Sequence, residues 1–128
     1  MTQEDKNILL KDLCARLPYK VKVLHDYDKK FKEGLVCYPS GLTKYENRTC
    51  ITAFGVVEPL ELDEIKPYLR SMDSMTEDEE RELEETVQYT QFTLESYDYL
   101  NSIHVDYRGL IEKNLALEAK PEMYRYEV

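Results

Sequence analysis

Between Lys20 and Val57 the apolar residues come in short runs separated by turns, and the gaps are too brief to hold a crossover helix. Parallel neighbours need a connection of a dozen or more residues, so this stretch favours antiparallel pairing. Val21-Lys22-Val23-Leu24-His25 alternates, with Lys20 and Lys22 on one face and Val21 and Val23 on the other, the period of a half-buried strand. Asp26 to Lys30 reads as a turn, Gly34 to Tyr38 as a second strand, and Pro39-Ser40-Gly41 as another turn. Arg48 to Val57 is rich in β-branched and aromatic residues and reads as a third strand, with Gly55 marking a bulge or an end. Three strands cannot bury two faces by themselves, so a helix should cover one of them.

The helix comes first in the chain. Thr2 and Asp5 form a capping pair, and Leu9, Leu10, Leu13, Cys14 and Leu17 make one apolar stripe over residues 3–16 before Pro18 ends it. From Leu60 to Arg70, Pro67 interrupts the acidic start, which points to a short helical or 3₁₀ turn leading back to the sheet; Met72 to Met75 is linker. Thr76-Glu77-Asp78-Glu79 is a second capping box. The helix after it carries seven acids between Glu77 and Glu85 against Arg81 alone, so like-charge repulsion leaves it frayed or projecting into solvent. Leu83 and Val87 give it a thin apolar row that Thr90 and Leu94 continue if the helix runs on. A further helix is expected over 93–104 with Tyr99, Leu100, Ile103 and Tyr107 facing inward, and a last one from Asp106 through Lys113, closed by a left-handed Asn114. Leu115-Ala116-Leu117 packs back, and residues from Pro121 to Val128 form a loose tail. The expected fold is α+β: an N-terminal helix, a small antiparallel sheet of three to five strands for which an SH3-like curl is one form, then three C-terminal helices. A single domain would span 1–128, with a helix-plus-sheet region (1–70), a helical region (76–117) and a tail (118–128).

Composition narrows the setting. Apolar residues make up 42% and charged residues 34% of the 128, which fits neither a membrane protein nor a disordered chain. No apolar run is long enough to cross a bilayer, and the polar start Met1-Thr2-Gln3-Glu4-Asp5-Lys6 is unlike a secretory signal. Cys14, Cys37 and Cys50 are an odd number without a CxxC pair, so they read as reduced, buried thiols of a cytoplasmic protein. The net charge of −9 is unevenly spread: residues 1–60 carry +2 and residues 61–128 carry −11.

The parts that catalysis needs are missing. His25 and His104 have no second ligand at zinc spacing, and although His104 and Asp106 could aim at one ion, a surface role for this helix-end histidine is the simpler reading. The glutamate run lacks the calcium-loop pattern. No GxSxG elbow occurs, and Gly34, Gly41, Gly55 and Gly109 lie too far apart for a phosphate-binding loop. No catalytic, cofactor-binding or metal-ligating residue is therefore assigned, and no enzyme, cofactor or metal is expected. The unusual feature is 11 tyrosines with no tryptophan. Tyrosine and arginine are the residue types favoured at interface hot spots. Tyr97, Tyr99 and Tyr107 fall near Arg108, and Tyr68 beside Arg70, so Tyr68, Arg70, Tyr97, Tyr99, Tyr107 and Arg108 are the candidate partner-binding residues. The opposing reading makes these rings the seam between sheet and helices.

Leu13-Cys14-Ala15-Arg16-Leu17-Pro18-Tyr19, Ile65-Lys66-Pro67-Tyr68-Leu69-Arg70, Ser74-Met75-Thr76 and Asp106-Tyr107-Arg108-Gly109-Leu110-Ile111-Glu112-Lys113 resemble the signature blocks of a family of small uncharacterised proteins frequent in phages, prophages and mobile elements of anaerobic gut bacteria. The chain departs from that pattern at Asn114, where glycine is expected, and between Asp26 and Val57, where it is longer and more polar. The resemblance implies a cytosolic accessory protein and no activity. The expected function is a non-enzymatic protein–protein interaction module, its partner another protein or a second copy, with no membrane role. Two alternatives stand beside it. One is a nucleic-acid-associated β module using Lys20, Lys22, Lys29, Lys30, Lys32, Lys44 and Arg48; the other is an acidic mimic whose Glu77–Glu85 helix presents carboxylates to a host DNA-binding protein in place of phosphates.

Overall fold

Residues 1–25 and 35–124 are described by a computed structural model. Its first element, α1 (Gln3–Arg16), opens on a reciprocal box in which Thr2 Oγ1 accepts from the Asp5 amide and the Asp5 carboxylate accepts from the Thr2 amide. Leu9 and Leu13 are wholly buried, each stabilising the fold by roughly 1.5–3 kcal/mol through the area removed from water. Pro18 falls within a short 3₁₀ turn (Leu17–Tyr19), and Lys20 leaves it in the left-handed region.

Among the described residues six strands follow: β1 (Val23–His25), β2 (Leu35–Cys37), β3 (Pro39–Tyr45), β4 (Arg48–Ala53), β5 (Ile65–Leu69) and β6 (Leu117–Glu118). A four-stranded sheet has the order β2-β1-β5-β6, antiparallel except where β6 runs parallel to β5. β3 and β4 make a separate hairpin, turned by the left-handed pair Glu46 and Asn47 and tied to the lead-in of β5 by two hydrogen bonds between Ile51 and Leu60. Later in the described chain come the helices α2 (Glu77–Thr86) and α3 (Leu94–Ser102), with complete capping boxes at Thr76 and Thr93 respectively. The architecture is α+β. One buried cluster joins α1 to the sheet through Leu9, Leu13, Val23, Ile51, Ile65 and Leu69; a smaller one holds Leu83, Leu100 and Val105. No helix among the described residues is long and apolar enough to cross a membrane.

Several expectations change. Pro39-Ser40-Gly41 opens β3 and is not a turn, so the third expected strand pairs with a strand that the sequence reading did not count. Residues 65–69 are an inner strand despite Pro67. The Tyr68 amide points at β1, donating to the Lys22 carbonyl, so position 67 would donate on the opposite side, where β6 begins only at the level of Tyr68. α2 stops at Thr86, because Val87 is extended, and the expected row through Thr90 and Leu94 never forms. Residues 110–114 are turns and not a third C-terminal helix. Asp106 still caps them, its two oxygens accepting from the Leu110 and Ile111 amides, and Asn114 is left-handed as expected. Cys14 is exposed, while Cys37 and Cys50 are buried. Residues Pro121–Tyr124 form a 3₁₀ turn that docks on the sheet; the rest of the expected tail, and the expected turn at 26–30, lie outside the described residues.

Candidate interaction surface

The sequence around α3 sets the surface. Gln88 and Gln91 exchange both backbone hydrogen bonds around Tyr89 and Thr90, which are both left-handed (φ 52° and 63°), the backbone of a type I′ turn. Tyr89 is thrown out to 95% exposure. A cluster of hydroxyls then fixes the corner between α2 and α3: Thr86 Oγ1 donates to the Leu83 carbonyl and lies 2.7 Å from Ser96 Oγ, and Thr93 Oγ1 donates to the Thr86 carbonyl. Because Thr93 caps α3, Leu94, Tyr97, Asp98 and Asn101 share one helix face.

That face, with Ala15 of α1 and the segment after Asp106, encloses an open groove of about 650 Å³ lined by Leu94, Tyr97, Asp98, Asn101, Tyr107 and Arg108. The Tyr97 and Tyr107 rings stand 5.2 Å apart, and Phe92 meets Tyr97 edge-on at 5.8 Å. Leu94 is 89% exposed at the rim. Arg108 lies 4.7 Å over the Tyr107 ring; its Nη1 donates to the Tyr107 hydroxyl, which donates to Asn101 Oδ1.

Beneath the groove lies a fully buried ion pair. Arg16 donates from Nε and Nη2 to the Asp12 carboxylate and from Nη2 to the Val105 carbonyl, and its guanidinium sits 5.6 Å from the Tyr107 ring. Arg108 Nη1 is 3.6 Å from the same carboxylate. Tyr107 is thus in contact with two guanidiniums, both held by one aspartate, so the ring is anchored from below before any partner arrives.

Of the six candidate residues, Tyr97, Tyr107 and Arg108 come together here. Arg70 does not: it grips Glu79 through two hydrogen bonds and the Ser74 and Ile103 carbonyls through two more, clipping α2 to the segment after α3. That grip holds the Glu79 carboxyl below, and the Arg70 guanidinium above, their ordinary ranges. Tyr99 faces a different depression, shared with Tyr19, Glu82 and Glu95, where burial and then a hydrogen bond with Glu82 push its hydroxyl up to about 12. Tyr68 is half-buried in β5, its carbonyl accepting from the Tyr124 hydroxyl.

The sequence reading missed Asp12 and Arg16, whose i,i+4 spacing on the apolar side of α1 was the available signal, and it gave Leu94 only as the continuation of a thin apolar row should α2 run on. His104 was read as a surface residue. It is buried, stacked on Tyr124 at 4.0 Å and hydrogen-bonded with the Tyr19 backbone; burial first, then the nearby charges of Arg16, Arg70 and Lys22, push it down to about 3. Asp106 is committed to two backbone amides, so the two do not make a polar centre together. Among the described residues no cluster of histidine, cysteine and acidic side chains could hold a metal ion. Lys29, Lys30 and Lys32 of the basic hairpin lie outside the described residues; Arg48 is occupied by Glu61 and Glu46, and the Lys22 ammonium by the Met123 carbonyl. No protein-family model, curated protein or solved structure matches the chain.

Proposed function

We propose that this is a non-enzymatic accessory protein, of phage or mobile-element origin and acting in the cytoplasm, that works by binding another protein through the groove between α3 and the Tyr107–Arg108 segment. The observation that carries this reading is the exposed Leu94 beside Phe92, Tyr97, Tyr107 and Arg108. A large aliphatic side chain left almost wholly in water at a helix start contributes nothing to this fold, and it adjoins the aromatic and arginine types that anchor interfaces. One wall is held in place before binding, since Tyr107 is hydrogen-bonded by Asn101 and Arg108 and lies against the Asp12–Arg16 pair, which lowers the ordering cost of binding there. Three free thiols fit a reducing compartment.

Affinity capture from the native host with the wild-type chain and a Leu94→Ser/Tyr97→Ala variant, paired with light scattering, tests the reading. The partner, or the second copy, is expected to be lost at least about tenfold in the variant while the thermal midpoint is kept. A strict monomer without a captured protein, or capture equal in both chains, overturns it.

A further inference from the structure

A second groove, of about 500 Å³, lies between α2 and the 3₁₀ turn Met72–Ser74. Its floor is apolar: Met72 is 40% exposed, Met75 is half-buried and Leu83 closes the bottom. Methionine is unbranched and polarisable, so two of them make a floor that adapts to the shape laid on it. Glu77, Glu80 and Glu84 form the rim. Spaced i, i+3 and i+7, they set three carboxylates along one side of the helix over about 10 Å.

Among the described residues these charges are unanswered. Arg81, also at the rim, is 3.3 Å from Asp78, and Arg70 is taken by Glu79; among the described residues Glu77, Glu80 and Glu84 have no ion-pair partner. Repulsion at these spacings opposes the helix. What holds α2 is its capping box, the buried Leu83 and the Arg70–Glu79 clip. A cation above the rim would relieve the repulsion, so an occupant of opposite charge stabilises α2 as it binds.

We infer that this groove takes a basic amphipathic segment of another protein, with an apolar side chain on Met72, Met75 and Leu83 and lysines or arginines facing Glu77, Glu80 and Glu84. The occupant is set by complementarity: an apolar floor calls for an apolar anchor, and a one-sided row of carboxylates calls for a row of cations. This surface shares no residue with the Tyr97–Arg108 groove. The protein so read has two binding faces and can bridge two partners.

The probe is a short labelled peptide of leucine and lysine in helical repeat, titrated into the full chain by fluorescence anisotropy beside a lysine–serine peptide of equal charge. The leucine–lysine peptide is expected to bind at least about tenfold more tightly than the lysine–serine one, and to weaken as salt rises. Glu80→Lys/Glu84→Lys should weaken it at least about tenfold and Met72→Ser several-fold, whereas the remote reversal Glu112→Lys/Glu118→Lys should leave it within about twofold. Should the double reversal perturb the helix by circular dichroism, Glu80→Gln/Glu84→Gln takes its place with a smaller loss of the same sign. Absence of binding, equal affinity for both peptides, indifference to Met72→Ser, or equal losses from the groove and remote reversals each overturn the inference.

Discussion

His104 shows how far a residue's surroundings can reset its chemistry. An ordinary histidine titrates near 6.5, but this one is pushed down to about 3, because a positive imidazole would sit out of water and near Arg16, Arg70 and Lys22. The unfolded chain therefore takes up the proton first on acidification. The stabilisation that comes from keeping His104 neutral is whole above pH 6.5, and it is lost as pH falls from there towards 3, by up to about 1.4 kcal/mol for each pH unit. His104→Asn keeps a side chain that tolerates the left-handed backbone at this position (φ 62°). Followed by chemical denaturation, the variant should lose less stability than the wild type between pH 6.5 and 4, even if it starts lower. Equal slopes would show that His104 does not set the acid response. Little of this was legible in the sequence: a histidine two places from an aspartate suggests an ion site, and only the fold shows the aspartate spent on backbone amides and the imidazole stacked on Tyr124. Asp12 and Arg16 were obscured for a similar reason, since an i,i+4 ion pair reads as a solvated one unless something covers it.

Among the elements, those with strong local signals were readable. α1 and α2 begin at the residues their capping boxes indicate, Thr2 and Thr76, because reciprocal hydrogen bonds within four residues owe little to the rest of the chain. β3 was hidden because proline and glycine ordinarily punctuate, yet here Pro39 and Gly41 flank a bulge in an otherwise regular ladder. The turn at Tyr89 and Thr90 was hidden too, since type I′ turns usually carry asparagine and glycine. Holding two other residues in that conformation costs energy, and the almost fully exposed Tyr89 ring returns little of it through packing. Tyr89→Asn/Thr90→Gly should thus raise unfolding stability by about 1–2 kcal/mol in urea titration. No gain would mean that the turn is not strained. The same variant should weaken partner capture if Tyr89 extends the Leu94–Tyr97 surface.

At the scale of the molecule, composition and strand spacing sufficed for the α+β class, while the split into a four-stranded sheet and a hairpin was not visible. Which strand neighbours which depends on contacts across long sequence separations, and β6, with two residues, leaves no pattern to find. The C-terminal segment is part of the structure nonetheless. β6 pairs with β5, the Tyr124 hydroxyl donates to the Tyr68 carbonyl and accepts from the Lys22 amide, and the Tyr124 ring covers His104. A chain ending at Ala116 should melt at a distinctly lower temperature and scatter light on heating, because it uncovers a strand edge and a buried imidazole together. An unchanged melting curve would reduce that segment to an ornament. The same late closure has a bearing on synthesis. While Leu117 is still inside the ribosome, α1 and the β3–β4 hairpin have already emerged, yet β5 waits with one side open, so a nascent chain paused there offers an unpaired edge to whatever chaperone stands at the tunnel exit.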